Sequence, residues 1–180
     1  MDSDEALYAR VKRGDMHAFD ELYTRHSTRL FGFLRGQLAS AADAEDVMHE
    51  AILATLESPE VSFSGGSFRT WLYRIARNRV LNRLRSQGRG QGALMKMKAE
   101  GHETPPPADD RIAREQLLQA LDGAVERLPP TLSDLYHLRS SGLSYDEMAH
   151  VLDIPLGTIK SRMNQMVDLL RKELLPWTAR

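Results

Sequence analysis

Seven arginines and no acidic residue fall between positions 69 and 89 of the sequence. They are Arg69, Arg74, Arg77, Arg79, Arg83, Arg85 and Arg89. Guanidinium groups bind phosphate oxygens through charge and paired N–H donors, so a phosphate backbone is the obvious counter-charge. In the same stretch Trp71 offers a stacking surface, and the amide of Asn78 can read a base edge. The run therefore favours nucleic-acid binding, and a solvated helix face is the alternative.

The usual marks of an enzyme or a metal site are missing from the sequence. There is no cysteine, which excludes disulfides, thiolate metal ligands and cysteine nucleophiles. The six histidines are scattered, and none forms a helical pair with metal-ligand spacing. We find neither a phosphate-binding glycine loop nor a nucleophile elbow. We therefore predict no catalytic residue, no metal site and no cofactor.

The composition is that of a folded protein of 180 residues, with 42% hydrophobic and 27% charged residues. The net charge of −1 hides a segregation, because residues 1–60 hold twelve acids against six lysines and arginines. No secretory signal is visible, and no apolar run approaches the roughly 20 residues that span a bilayer. We expect a cytoplasmic protein without membrane insertion.

Apolar residues recur at helical spacing along most of the chain, and alternation typical of strands is absent. The predicted helices span residues 4–13, 18–38, 40–57, 67–85, 111–128, 132–139, 144–152 and 156–175. Glycines and three consecutive prolines interrupt the pattern between the fourth and fifth helices. The prediction is an all-α protein of two small helical domains, residues 1–86 and 111–180, joined by a flexible linker at 87–110.

Local signals mark several of the helix ends. Gly14 follows the first helix as a C-terminal cap, and Pro176 closes the last one. Ser40 with Asp43, and Ser144 with Glu147, have the spacing of capping boxes at the starts of the third and seventh helices.

Residues 142–174 have the form of a helix-turn-helix, with Ile154 in the turn between the two helices. On the second helix one side is apolar and suited to packing. Polar side chains lie mostly elsewhere on its first turns: Thr158, Lys160, Ser161 and Arg162. In such motifs this part of the second helix enters the major groove and contacts base edges. A helical hairpin without any DNA role is the alternative.

The amino-acid sequence of this segment resembles a known DNA-binding element. Residues 143–149 (LSYDEMA) and 154–162 (IPLGTIKSR) resemble region 4.2 of sigma factors, which reads the promoter −35 element. The resemblance implies −35 contacts by the four polar residues named above. Residues 128–130 (LPP) match the start of region 4.1, although Ser133 and Asp134 lie near a position where arginine is common.

Residues 43–53 (DAEDVMHEAIL) resemble region 2.2 of sigma factors, which docks on the clamp of the largest subunit of RNA polymerase core. The resemblance implies a polymerase-binding set of Asp43, Glu45, Asp46, His49, Glu50, Ile52 and Leu53. An acidic surface helix is the alternative. The family usually has glutamine where His49 stands and phenylalanine where Ile52 stands.

Residues 68–78 (FRTWLYRIARN) resemble region 2.3 to 2.4, which contacts the −10 element. The resemblance implies DNA contacts by Arg74, Arg77, Asn78, Arg85 and Trp71. It assigns Asn78 to the flipped −10 base and the loop 62–67 to the pocket around that base. For Trp71, packing in the core is the favoured alternative, and Asn82 stands where many members have aspartate.

The three motifs occur in the order of the sigma-70 family, and nothing between them resembles region 3 of the larger members. The chain therefore resembles the extracytoplasmic-function (ECF) group. This implies an alternative sigma factor that binds RNA polymerase core and promoter DNA, with an anti-sigma factor as a further partner. A self-sufficient helix-turn-helix regulator, with the first domain used for dimerisation, stays open as the alternative.

Overall fold

The computed structural model describes residues 2–58, 66–90 and 110–178, and all regular elements in these ranges are α-helices. They are α1 (Asp4–Val11), α2 (Met16–Arg35), α3 (Ala41–Glu57), α4 (Phe68–Gly90), α5 (Asp110–Glu126), α6 (Pro130–Ser140), α7 (Tyr145–Leu152) and α8 (Leu156–Thr178). The all-α prediction is confirmed. Most of the predicted linker, residues 91–109, and most of the loop 62–67 lie outside the described residues.

Side-chain caps begin several helices, because the first N–H groups of a helix lack partners within it. At α7 the capping box is complete, with Ser144 and Glu147 each bound to the other's backbone N–H. At α3 only one half forms as predicted. Ser40 accepts from the N–H of Asp43, whose carboxylate binds Arg83 on α4. Gly14 follows α1 with a φ of 91°, as its predicted capping role requires.

Two helices extend three or more residues beyond their predicted ends. α4 continues to Gly90 rather than ending at residue 85, and α8 runs through Pro176 to Thr178. Lengthening an existing helix is much easier than starting one, and a glycine costs only about 1 kcal/mol without blocking the helix. Pro176 lies in the final turn of α8, where its missing N–H removes one hydrogen bond at most. The first four residues of the predicted linker are therefore helical.

The helices of the first half, α1 to α4, surround one apolar core. Its largest fully buried side chains are Leu7, Leu30, Phe33, Leu34, Val47, Leu72 and Tyr73. In the second half, the helices after α5 bury Leu135, Leu138, Leu143, Met148 and Ile159 in the same way. Ile154 packs against this second core from the turn between α7 and α8, as predicted.

The two halves contact each other through α4 with α7 and through α2 with α6. Gly36, at the end of α2, lies directly against His137 of α6. A Cβ atom at Gly36 would lie 2.1 Å from Nδ1 of His137, so any larger residue there would require the His137 ring to move. Among the helices described, none is long and apolar enough to cross a membrane.

Candidate nucleic-acid interface

One face of α4 is turned toward the second half of the molecule. Residues four apart along it, Arg69, Tyr73 and Arg77, share this face. Arg69 donates to the backbone oxygen of Ser141 at 2.9 Å. Arg77 donates through Nε and Nη2 to Oδ2 of Asp134, at 3.0 and 2.8 Å. In this conformation Arg77 has a protein carboxylate as its partner.

A second face of α4 is bound to the acidic residues of α3. Arg79 donates to Glu50 at 2.9 Å, and Arg83 binds both Asp43 and Asp46. The Arg83 guanidinium holds the pKa of the Asp43 carboxyl below its usual range. Two helices that the sequence assigned to different partners, polymerase and DNA, are therefore joined by ion pairs.

A third face of α4 presents Arg74, Asn78 and Arg85 at the surface. At 100° per residue these positions lie within about 40° of one another and form one stripe. Arg74 is half-exposed and lies 3.9 Å from Asp153, a long and solvated pairing. Nη1 of Arg85 donates to the side-chain oxygen of Asn82 at 3.2 Å.

Trp71, seven residues before Asn78, lies on the same side of α4 as the stripe but is partly buried in the first half. Its ring meets that of Tyr8 edge-on with centroids 5.4 Å apart, and that of Phe68 at 6.0 Å. These contacts favour the packing alternative for Trp71.

The predicted polymerase-binding residues divide along α3. Glu45, Asp46, His49, Glu50 and Leu53 are exposed, and the apolar Leu53 is 53% exposed. In contrast, Ile52 lies in the core with 8% exposure, and Asp43 is partly buried against Arg83. The surface of α3 thus combines carboxylates with the apolar side chain of Leu53.

The helix-turn-helix has a sharp turn at Asp153, whose φ of 55° is left-handed. Beyond it, Ile159, Met163 and Met166 of α8 are buried. The predicted DNA residues flank that buried side. Lys160 and Ser161 are exposed, whereas Thr158 and Arg162 are partly buried.

Sequence reasoning missed the pairing of α4 arginines with carboxylates of the second half. Asp134 lies 57 residues from Arg77, and Glu147 contacts Arg69 at 3.5 Å across the two halves. The one available signal was Asp134 itself, which stands near a position where the resembled family commonly has arginine.

Two family models match the chain. The model described as Sigma-70 region 2 matches residues 22–90, and the model described as Sigma-70, region 4 matches residues 118–166. The ECF RNA polymerase sigma-E factor of Haemophilus influenzae is 32% identical over 185 residues, which cover 97% of this chain and 96% of that protein. The chain belongs to the ECF group of the sigma-70 family.

Other relatives agree with this sigma factor in length and in both regions. The ECF RNA polymerase sigma-E factor of Escherichia coli K12 is 32% identical, and the RNA polymerase sigma-H factor of Pseudomonas aeruginosa is 30% identical. Each match covers 97% of this chain and 95% of the relative. Membership places the protein among transcription initiation factors rather than enzymes, and it favours that role over the self-sufficient regulator.

Solved structures share the fold of this sigma factor. CnrH, solved in complex with the cytosolic domain of CnrY, has a TM-score of 0.69 and 22% identity, covering 96% of this chain and 97% of that chain. The sigma factor RpoE of Bartonella quintana, solved with the anti-sigma factor NepR, has a TM-score of 0.66 and 23% identity, covering 90% of this chain and 98% of that chain.

Proposed function

We propose that three surfaces of this sigma factor divide the work of promoter recognition. The exposed acids of α3 dock on the clamp of RNA polymerase core, and the first turns of α8 read the −35 duplex. The stripe of Arg74, Asn78 and Arg85 on α4 captures the opened −10 strand. Such a protein acts where polymerase and chromosome are, in the cytoplasm.

The observation that carries this proposal is the stripe on α4. Arginines at its two ends suit phosphates, and the amide between them suits a base edge. The stripe is about 16 Å long, because 11 residues separate its ends at 1.5 Å each. This length matches a few nucleotides of single strand rather than one bound phosphate.

Support for the −35 assignment comes from the exposed Lys160 and Ser161 at the start of α8. Their helix rests on its buried apolar side, so the polar side faces outward. Free N–H groups at the helix start add attraction for a phosphate. A lysine and an arginine there can pair with guanine edges.

An anti-sigma factor is a further proposed partner. RpoE of Bartonella quintana was solved with one, and that protein shares the fold of this chain. The proposal assigns no residue of this chain to that contact.

Two substitutions separate the first two surfaces. We expect Asp46→Arg to prevent assembly with core polymerase, because it places a cation where a basic partner docks. Asp122→Arg, a charge reversal at an exposed position of α5, is the control for the added cation, and Asp46→Ala is the control for the lost contact with Arg83. We expect Lys160→Ala to weaken binding of a −35 duplex by the holoenzyme while assembly is unchanged, with Lys172→Ala near the other end of α8 as its control. Unchanged assembly by Asp46→Arg would contradict the docking role.

A further inference from the structure

Helix α1 contacts the end of α3 and the start of α4 at the same time. Nζ of Lys12, the residue that follows α1, donates to the backbone oxygens of Leu56 at 2.9 Å and Ser58 at 2.6 Å. Seven residues earlier, Oε1 of Glu5 accepts from the backbone N–H of Phe68 at 2.9 Å. Positions seven apart lie on one side of a helix, so one face of α1 bridges two elements of the first half.

The charges of these two contacts match the helix ends that they meet. The last carbonyls of a helix attract a cation, and its first N–H groups attract an anion. α4 has no acidic residue in its own first turn, so Glu5 supplies the negative charge from another element. The hydroxyl of Ser67 accepts from the N–H of Thr70 and completes this end of α4.

Further contacts hold α1 in place against the other helices of the first half. Tyr8, one turn after Glu5, is buried, and its hydroxyl donates to the oxygen of Thr55 at 3.0 Å. Its ring packs against Phe68 with centroids 5.5 Å apart. Asp4 accepts from Arg25 at 2.9 Å and lies 2.7 Å from Nε2 of His26, which ties α1 to α2.

We propose that Glu5 and Lys12 are positioning residues for promoter opening. They fix the start of α4 relative to the end of α3, and therefore the stripe on α4 relative to the docked polymerase. In this role Glu5 and Lys12 act through the backbone groups that they bind rather than through DNA. The inference rests on the proposed function of the α4 stripe, because it assigns α1 to that same step.

The test measures open-complex formation by holoenzyme on a promoter that the parent protein opens. We expect Glu5→Ala to lower the yield of open complexes roughly fivefold, because the helix end loses both a hydrogen bond and a charge. Glu5→Gln keeps an oxygen acceptor and should fall between Glu5→Ala and the parent. Lys12→Met should also lower the yield, and Lys12→Arg, which can donate to both carbonyls, should restore it.

Controls separate positioning from loss of structure. Asp20→Asn on α2 and Arg13→Met beside Lys12 change charge at exposed sites and should open the promoter as the parent does. Assembly with core polymerase and −35 duplex binding should match the parent in every variant. A loss of these two activities in parallel with opening would overturn positioning in favour of simple destabilisation.

Two further outcomes distinguish the positioning role of Glu5 and Lys12 from the proposed DNA-binding role of the α4 stripe. If Asn78→Ala impairs opening but the Glu5 and Lys12 variants open normally, the positioning role is wrong and the role of the α4 stripe stands. If Asn78→Ala opens the promoter as the parent does, the role of the α4 stripe is wrong and the positioning inference that rests on it is overturned as well.

Discussion

The polar side chains of α4 differ in whether they already have a carboxylate partner. Of its arginines, Arg77 faces Asp134 and Arg83 faces Asp43, whereas Arg74 is half-exposed beside Asn78. A side chain already bound to a carboxylate must leave that partner before it can bind a phosphate. The half-exposed Arg74 and the exposed Asn78 therefore reach an incoming strand with less rearrangement than Arg77.

Asn78→Ala tests the base-reading assignment. The change removes an amide from an exposed helix position, so folding and −35 duplex binding should match the parent, while the yield of open complexes should fall. Losing hydrogen bonds to one base costs about 1–3 kcal/mol, which corresponds to a roughly 5- to 150-fold loss. Permanganate reactivity of unpaired thymines measures opening directly.

Asn164→Ala, an exposed asparagine on α8, is the matched control for that experiment. Equal opening by Asn78→Ala and the parent would contradict the assignment of this residue to the flipped base.

Patterns within one element were readable from the sequence, whereas partners from distant elements were not. The capping box of Ser144 and Glu147 needs only residues three apart, and its prediction is confirmed. The pairing of Arg77 with Asp134 depends on how two halves pack, which no local pattern encodes. Ile52 was assigned to a surface by resemblance, yet the inner side of α3 includes it beside Met48 and Thr55.

At the scale of the element, helix ends position the side chains that act. α7 has only eight residues, too few for a stable isolated helix, so its cap and its packing must hold it. The turn that follows it sets the direction of α8. Loss of the cap at the start of α7 should therefore disturb the position of α8 and weaken binding of the −35 duplex.

Ser144→Ala tests this dependence. Loss of an N-terminal cap costs about 1 kcal/mol, so the free energy of unfolding should fall by that amount and −35 duplex binding should weaken. Chemical denaturation and duplex titration measure the two effects.

Ser140→Ala, at the exposed last position of α6, should change neither quantity. If Ser144→Ala also leaves both unchanged, the capping box does not stabilise the helix-turn-helix.

At the scale of the whole molecule, the two halves share one apolar cluster, and charged and titratable groups also cross their contact. Arg77 with Asp134 and Arg69 with Glu147 cross the contact, and His137 packs on the backbone at Gly36. Because the buried apolar residues of the two halves form one continuous cluster, separating the halves exposes apolar surface as well as breaking these polar contacts. Use of Arg77 on DNA requires such a separation.

Asp134→Asn should loosen this contact. A hydrogen bond between charged groups contributes about 1.5–3 kcal/mol, and the neutral amide retains only part of it. We expect a larger radius of gyration in small-angle scattering than for the parent. Asp153→Asn, whose carboxylate is exposed and 3.9 Å from Arg74, should have no effect. Identical radii for parent and Asp134→Asn would show that this pair does not hold the halves together.

Acid should destabilise the molecule through two histidines. Burial lowers the pKa of His26, opposed by Asp4, and burial lowers the pKa of His137, opposed by Asp134. A lowered pKa means that the folded state favours the neutral ring, so this contribution to stability is complete above pH 6.5, the ordinary value, and is lost as the pH falls below it.

The free energy of unfolding of the parent, measured by denaturation, should therefore decrease as the pH falls below 6.5. His137→Gln should decrease less steeply, because one of the two groups no longer titrates. His150→Gln, at an exposed position, should follow the parent. An unchanged slope for His137→Gln would exclude His137 as a source of the pH dependence.

The central claim is that this chain directs polymerase to promoters. Run-off transcription with bacterial core polymerase on pooled genomic promoter fragments, with and without the protein, tests it most directly. We predict new discrete transcripts whose templates share paired −35 and −10 elements, and none with the Asp46→Arg variant. Duplex binding by the protein alone without any new transcript would contradict the claim and favour a self-sufficient regulator.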